Sequence, residues 1–230
     1  MRSGVVIFPG SNCDRDMIVA IRQITGKTPI KIWHKEYDIP NLDLIVIPGG
    51  FTFGDYLRCG ALAARSPVIT SIKNHISRGG TVLGVCNGFQ ILIEAKILPG
   101  SLIRNKKLLF TCRETTLEVQ SCIENPFLSG LKIGECLKIP VAHNEGNYFA
   151  PKDLLKQLKE EGRIALKYSK QKDSEKNYNP NGSSDDIAGI LSNNGRVLGM
   201  MPHPERAINY LHGGTDGLKF LTNCIEQIIG

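Results

Sequence analysis

Five continuous apolar runs constrain the fold of this chain more than any other feature of its sequence. They lack the alternation of a strand exposed on one face, which is typical of strands buried on both faces of a mainly parallel sheet. The runs are residues 4–8, 42–47, 81–85, 187–191 and 196–201. The stretches between and after them predict helices at 14–24, 68–78, 88–96, 152–161 and 217–229. Alternating strands and helices predict a three-layer αβα fold with loops gathered at the carboxyl ends of the strands.

Residues 100–145 interrupt this alternation. The segment has no helical pattern between its short strand-like runs, which predicts a small antiparallel extension of the sheet. The runs are residues 108–110, 115–119 and 137–140. The charged stretch 152–176 is interpreted as a solvated helix and loop, and 177–184 has the composition of a loop. Because no repeat and no clear boundary divides the chain, we expect a single domain over residues 1–230.

Composition and charge narrow the class of protein. The chain has 230 residues, 41% hydrophobic and 22% charged, which is globular composition. A net charge of +6 is compatible with anionic substrates or an acidic partner, and it is too small to predict nucleic-acid binding. The apolar runs are too short to cross a membrane. Seven scattered cysteines without a C-x-x-C pair predict neither disulfides nor a metal site, so we expect a reducing cytoplasm.

The segment Gly-Val-Cys-Asn-Gly at 84–88 lies between a predicted strand and a predicted helix. This is the cysteine form of the nucleophile elbow, in which glycines two positions to either side prevent collisions at a sharp turn. The helix N-terminus favours the thiolate of Cys86, and the Asn87 N–H can stabilise an oxyanion. The alternative is that the glycines serve only tight packing and Cys86 is a small buried residue.

Two more predicted strands are followed by segments that could contribute to catalysis. Pro-Gly-Gly-Phe at 48–51 either supplies a second oxyanion donor, at Gly50, or is an ordinary turn. Further along, Pro204 forces His203 into an extended conformation, and residues two apart on an extended chain face the same way. Glu205 is therefore expected to orient the His203 ring and to stabilise its charged form.

The remaining histidines and one more cysteine carry weaker signals. His143 lies in a polar loop, where it either lines the site or does not. His34, His75 and His212 have no partner pattern, and we expect them to be packing or surface residues. Cys13 follows a strand but lacks the second glycine of an elbow, so it is interpreted as structural.

Four strings of the sequence together resemble class I (triad-type) glutamine amidotransferases. They are GVCNGFQIL, PGGFTFGDYLRCGA, HNEGNY and MMPHPERA. Among these enzymes the chain is similar to the glutaminase subunits of phosphoribosylformylglycinamidine synthase, from purine biosynthesis. The resemblance covers nearly the whole chain and implies a flavodoxin-like arrangement of the sheet. One departure is Asn144, where the family commonly has glycine.

The resemblance also implies a role for each site residue. Cys86 would attack the side-chain amide of glutamine, with His203 as acid and base and Glu205 orienting it. A γ-glutamyl thioester would form, ammonia would leave, and water would release glutamate. Gly50 and Asn87 would be the oxyanion hole. The residues implied to contact glutamine or the partner interface are Phe51, Asp55, Arg58, Gln90 and His143.

The chain lacks a phosphate-binding loop of the G-x-x-x-x-G-K-[ST] type, so no cofactor is expected in it. The resemblance implies a separate synthetase subunit that uses ATP and Mg²⁺ to activate formylglycinamide ribonucleotide and receives the ammonia. A small third subunit would bridge the two. Neither nucleic acid nor membrane is expected as a partner.

Two alternatives to this function remain. The first is another enzyme on the same scaffold, either a cysteine peptidase or the glutaminase of a different synthase. Peptidases of this architecture usually place histidine directly after the elbow cysteine, where this chain has Asn87. The second is a non-catalytic scaffold subunit, a class that typically loses the nucleophile or the His–Glu pair.

Overall fold

The computed structural model describes residues 1–120, 122–170 and 178–229 of the chain. Within these residues helices separate the strands up to α3, except that β2 is followed directly by β3, and beyond α3 strands predominate. The helices are α1 (Asp14–Thr25), α2 (Val68–Ser77), α3 (Asn87–Glu94), α4 (Lys152–Glu160) and α5 (Asp216–Ile229). The strands are β1 (Ser3–Ile7), β2 (Ile30–Trp33), β3 (Leu44–Ile47), β4 (Thr81–Val85), β5 (Ser101–Ile103), β6 (Thr111–Val119), β7 (Cys136–His143), β8 (Asn147–Phe149), β9 (Ile164–Tyr168), β10 (Ile187–Leu191) and β11 (Val197–Met200).

Nine of these strands form one sheet in the order β2-β1-β3-β4-β11-β10-β9-β6-β7. The first five are parallel, and β10, β9, β6 and β7 continue the sheet in antiparallel pairs. Strands β5 and β8 form a separate antiparallel pair. This arrangement confirms the predicted α/β fold with a parallel centre and an antiparallel extension.

Helices cover both faces of the parallel part. The crossover from β1 to β2 and the crossover from β3 to β4 run in opposite directions along the sheet. Right-handed crossovers therefore place α1 and α2 on opposite faces. Helix α5 packs against α1, and α3 packs against β3, β4 and β11. Strands β3 and β4 are consequently buried at every residue, as their unbroken apolar sequences require.

Three details of the predicted elements are wrong. Residues 108–110 form a turn instead of a strand, and their apolar side chains are exposed. Strand β10 runs antiparallel to its neighbours although its sequence is apolar throughout. The charged stretch 152–176 contains a buried strand, β9, after its predicted helix, and residues 171–176 lie outside the described residues, as does Asn177 of the predicted loop.

The parallel strands decide where the chemistry-bearing loops meet. The segments after β1, β3, β4 and β11 carry Cys13, Gly50, Cys86 and His203, respectively. Four adjacent strands of one parallel sheet thus deliver these residues to the same edge, where open α/β sheets bind ligands. In the part of the chain that the structure describes, no helix is both long and apolar enough to cross a membrane.

Candidate active site

Cys86 occupies a strained turn between β4 and α3. Its backbone has φ +50° and ψ −105°, in the left-handed half of the map that residues with a side chain rarely adopt. The Cys86 N–H donates to the Met200 carbonyl at 2.7 Å, which fixes the turn to β11. A Cβ at Gly88 would overlap the Ile47 carbonyl oxygen. The elbow therefore requires glycine at 88 for close packing as well as for a sharp turn.

His203 and Glu205 form a buried pair opposite the elbow. His203 Nδ1 and Glu205 Oε1 are 2.6 Å apart, and the two residues are 1% and 2% exposed. Pro204 begins a short 3₁₀ helix, and the His203 N–H donates to the Pro140 carbonyl at 2.8 Å. The structure thus brings the imidazole and the carboxylate together in the way that the His-Pro-Glu sequence predicts.

The ionisation of His203 depends on its neighbours. Burial by itself lowers the pKa of the ring, but the charges of Glu205 and Cys86 oppose burial and hold the pKa of His203 well above its ordinary value. Cys86 and His203 line the same cavity, which has a volume of about 190 Å³. A thiol beside a histidine that favours the charged form is the arrangement expected for a thiolate–imidazolium nucleophile.

The two predicted oxyanion donors flank Cys86. Gly50 lines the cavity with φ +151°, and a Cβ there would lie 2.8 Å from the Asn12 nitrogen. Asn87 is the first residue of α3, so its backbone N–H has no acceptor within the helix. Its side chain is held in place by accepting from the Thr52 N–H at 3.3 Å. Gly50 shares the cavity with Cys86 and Asn87 follows Cys86 directly, and their role as an oxyanion hole stays a prediction.

Comparison with protein families decides the affiliation of the chain. Residues 1–214 match a family described as the CobB/CobQ-like glutamine amidotransferase domain. The chain belongs to this family. The amidotransferase fold therefore carries here the arrangement of cysteine, histidine and glutamate that the sequence predicts.

Curated relatives resemble this amidotransferase over its full length. It is 49% identical over 230 residues to phosphoribosylformylglycinamidine synthase subunit PurQ of Bartonella henselae, covering 100% of both chains. It is 50% identical over 228 residues to the subunit of the same name from Rhizobium meliloti, covering 99% of each.

Solved structures confirm the fold. A chain in the structure of PurLQS from Thermotoga maritima superposes with a TM-score of 0.84 at 38% identity, covering 99% of this amidotransferase and 97% of that chain. A glutamine amidotransferase from Thermotoga maritima superposes with a TM-score of 0.62 at 15% identity, covering 100% of this chain and 98% of that one. The second likeness concerns the fold alone.

The residues predicted to contact substrate differ in how exposed they are to solvent. Phe51 lines the cavity with 46% of its surface exposed. Gln90 is buried and internally bonded, accepting from Asn87 Nδ2 at 2.8 Å and donating to the Glu145 carbonyl at 2.7 Å. The oxygen and the nitrogen of the Gln90 side-chain amide therefore both have hydrogen-bond partners within the protein. A contact between Gln90 and substrate stays a prediction.

Asp55 and Arg58 lie beside the site without lining the cavity. Burial raises the pKa of Asp55, a hydrogen bond with Cys59 opposes that rise, and the Glu145 charge adds to it. Arg58 pairs with Glu94 at 2.8 Å in an exposed position, where an ion pair contributes little to stability. Their predicted contacts with glutamine or with a partner remain predictions.

His143 is a buried structural residue in this arrangement. Its Nδ1 is 3.1 Å from Asn105 Oδ1, and its Nε2 is 3.4 Å from Asn181 Nδ2. Burial, followed by the charge of His203, lowers the pKa of His143 to about 3, so the ring is neutral. The preceding residue, Ala142, lines the cavity instead, with its carbonyl 3.7 Å from Cys86 Sγ.

Several residues that line or support the cavity are not indicated by the sequence. Asn105 donates to the His143 carbonyl at 2.9 Å and accepts from the Gly146 N–H at 3.0 Å, while Asn181 donates to the Gly146 carbonyl at 2.7 Å. These two asparagines hold the loop that places the Ala142 carbonyl against Cys86 Sγ. Asn181 falls in a segment interpreted only as loop composition. Cavity-lining residues to which the sequence assigned no role in the site are Asn12, Cys13, Phe110, Cys112 and Arg206.

Replacing Gly88 with alanine is expected to destabilise the fold by at least about 2 kcal/mol, because overpacking outweighs the gain of up to ~1 kcal/mol in helix propensity. The added methyl group would overlap the Ile47 carbonyl of β3. Gly214→Ala is the matched control, since a Cβ there meets no atom within 4 Å. Urea unfolding of both variants measures the difference, and equal midpoints would show that the elbow can relax.

Proposed function

We propose that this amidotransferase is the glutaminase subunit of a phosphoribosylformylglycinamidine synthase. It hydrolyses glutamine to glutamate and ammonia and passes the ammonia to a synthetase subunit. The observation that carries the proposal is the convergence of a strained cysteine elbow with the buried His203–Glu205 pair in one cavity. The names of the full-length relatives support the choice of synthase.

In the first half-reaction the Cys86 thiolate attacks the side-chain amide carbon of glutamine. A bond forms between Sγ and carbon, and the carbonyl electron pair moves to an oxyanion stabilised by the N–H groups of Gly50 and Asn87. His203, charged at this stage, donates its proton to the amide nitrogen. Collapse of the intermediate expels ammonia and leaves a γ-glutamyl thioester on Cys86.

In the second half-reaction water completes the hydrolysis. Neutral His203 accepts a proton from the water that attacks the thioester carbon, and the same two N–H groups stabilise the second oxyanion. The carbon–sulfur bond breaks, glutamate leaves, and the thiolate–imidazolium pair is restored. Glu205 keeps the His203 ring oriented through both halves by its 2.6 Å contact with Nδ1.

The rest of the reaction belongs to partner subunits in this proposal. A synthetase subunit binds ATP and Mg²⁺ and activates formylglycinamide ribonucleotide, and a small third subunit bridges it to this chain in the cytoplasm. Exposed apolar side chains surround the mouth of the cavity, including Phe51 and Phe110, which are 46% and 51% exposed. A partner that covers them would keep the ammonia from escaping into bulk water.

Mixing the purified chain with the synthetase and small subunits of a relative tests this proposal. We expect glutamine-dependent formation of formylglycinamidine ribonucleotide, measured together with stoichiometric glutamate release. Pretreating the chain with a diazo-ketone analogue of glutamine should block the glutamine-dependent rate and leave the ammonium-dependent rate intact. Glutamate release without amidine formation, under conditions in which ammonium supports synthesis, would assign the chain to another synthase.

A further inference from the structure

A second thiol lies beside the His203–Glu205 pair. Cys13 follows β1, is 1% exposed, and lines the cavity that Cys86 and His203 share. Arg206 Nη2 donates to Cys13 Sγ at 2.9 Å. The proposed hydrolysis of glutamine uses neither the Cys13 thiol nor this contact.

Three ligand-type atoms converge at this position. One atom each from Cys13, His203 and Glu205 lies within 4.8 Å of the other two, and all three residues are buried. Among the described residues, Glu205 Oε2 is a buried atom without a hydrogen-bond partner that the proposed hydrolysis does not use. Unsatisfied buried polar atoms of this kind indicate a missing ligand or a functional role. We propose that Cys13, His203 and Glu205 form an inhibitory site for Zn²⁺.

The donor set suits Zn²⁺ better than the common hard cations. Sulfur, imidazole nitrogen and one carboxylate oxygen are typical zinc ligands, and three protein ligands leave a fourth position for water. Mg²⁺ and Ca²⁺ require six or more oxygen ligands, which this site does not offer. Ligand atoms bound tetrahedrally at about 2.0–2.3 Å from zinc lie roughly 3.5 Å apart. Atoms that lie up to 4.8 Å apart therefore need to approach one another by at most about 1.3 Å.

The charges around the site also fit a divalent cation. A Cys13 thiolate and the Glu205 carboxylate neutralise its two positive charges, while His203 binds as the neutral ring. Arg206 can keep its N–H···S contact and act as an outer hydrogen-bond donor to the bound thiolate, as second-shell groups do at metal sites. Entry is through the cavity of about 190 Å³ that Cys13 and His203 line.

Occupation of this site would stop hydrolysis while leaving Cys86 unmodified. A neutral imidazole that binds metal through one nitrogen carries its proton on the other, so His203 has no lone pair left to accept a proton. Cysteine and histidine bind zinc only in their deprotonated forms, and zinc affinity at sites of this kind therefore rises with pH. The site is an inhibitory one, distinct from a resident cofactor site.

Zinc binding by a chain that lacks the nucleophile tests the proposal independently of catalysis. The Cys86→Ser variant retains all three proposed ligands, and we expect it to bind one equivalent of Zn²⁺ in calorimetric titration. Adding Cys13→Ser should weaken binding at least about tenfold, because loss of even a second-shell partner of a metal ligand weakens binding by about 10- to 100-fold. Adding Cys136→Ser, at an exposed position at the start of β7, is the matched control and should change nothing.

Each other outcome contradicts the site. Unchanged affinity without Cys13 would exclude this thiol as a ligand. Binding by the wild type but not by Cys86→Ser would assign the metal to the nucleophile and His203. If Cys13→Ser does not fold, Co²⁺ bound to Cys86→Ser supplies the second measurement, because a thiolate ligand gives a sulfur-to-metal charge-transfer band and its absence would overturn the proposal.

Discussion

Replacing Cys86 with serine is expected to reduce glutamine hydrolysis by about 10⁴-fold or more, the range found when a catalytic nucleophile is removed. The variant keeps the shape of the elbow but replaces the thiol with a hydroxyl, which is a far weaker acid and a weaker nucleophile. The Glu205 charge, which the variant retains, still favours the charged form of His203, so the ring is poorly suited to deprotonate serine. Glutamate release by the assembled synthase measures the loss.

Two controls make this result specific. The Cys136→Ser variant removes an exposed thiol outside the cavity and should keep the wild-type rate. Ammonium-dependent synthesis by the complex that contains Cys86→Ser should also be retained, because the synthetase site is untouched. A near-normal glutamine-dependent rate would transfer the nucleophile role to another thiol of the cavity, Cys13 or Cys112.

The motifs of the proposed active site could be predicted from the sequence because each depends on local spacing. An elbow needs small residues at fixed distances from its nucleophile, and a histidine can be oriented by a carboxylate two residues away on an extended chain. Cys86, His203 and Glu205 therefore lie where the sequence predicts. By contrast, the contact between Arg206 and Cys13 joins residues 193 positions apart. No local pattern carries such a contact, and only the meeting of β1 and β11 at one sheet edge produces it.

Apolar runs in the sequence predict that a strand is buried more reliably than they predict whether it is parallel or antiparallel. Strand β10 is buried at every residue and yet runs antiparallel to its neighbours. An apolar strand needs cover on both faces of its sheet, and that cover can be provided for a parallel or an antiparallel strand. Strand β9 was missed because it lies within a stretch of many charged residues, although four of its five residues are buried. Composition averaged over a long window hides a short strand of this kind.

The predicted strand at residues 108–110 shows the opposite error. Its three apolar residues are between 51% and 68% exposed, so the run reflects surface chemistry instead of a core. Asn105 holds the segment as a turn, since its carbonyl accepts from the Leu108 N–H at 2.8 Å and its side chain donates to the Leu109 carbonyl at 2.9 Å. One asparagine thus overrides the strand preference of three apolar residues and leaves Phe110 at the mouth of the cavity.

Replacing Glu205 with glutamine is expected to lower glutamine hydrolysis by about 10³- to 10⁴-fold, as does removal of the orienting carboxylate in other triads. The amide keeps the shape of the side chain but removes the negative charge that stabilises the buried imidazolium of His203. It can also present an N–H to Nδ1 and stabilise the wrong tautomer of His203. The kcat/KM for glutamine, with Glu226→Gln on the exposed face of α5 as control, measures the effect.

The pH profile separates this role from a merely structural one. The thiolate–imidazolium pair is lost as pH rises through the pKa of His203, which the charges of Glu205 and Cys86 raise well above 6.5 against the effect of burial. Without the Glu205 charge, burial prevails and the pKa falls, so the alkaline limb of kcat/KM should move to lower pH. A uniform loss of rate with an unmoved alkaline limb would mean that Glu205 only packs against the ring.

The raised pKa of His203 should also make the stability of the folded protein depend on pH. A folded-state pKa above the unfolded value means that charged His203 stabilises the fold fully below pH 6.5, and that this contribution is lost as pH rises through the raised pKa. Glu205→Gln removes the contribution, so its deficit against the wild type in urea unfolding should be large near pH 6 and should shrink at alkaline pH. A deficit that grows with pH would contradict the assignment of the charged ring to the folded state.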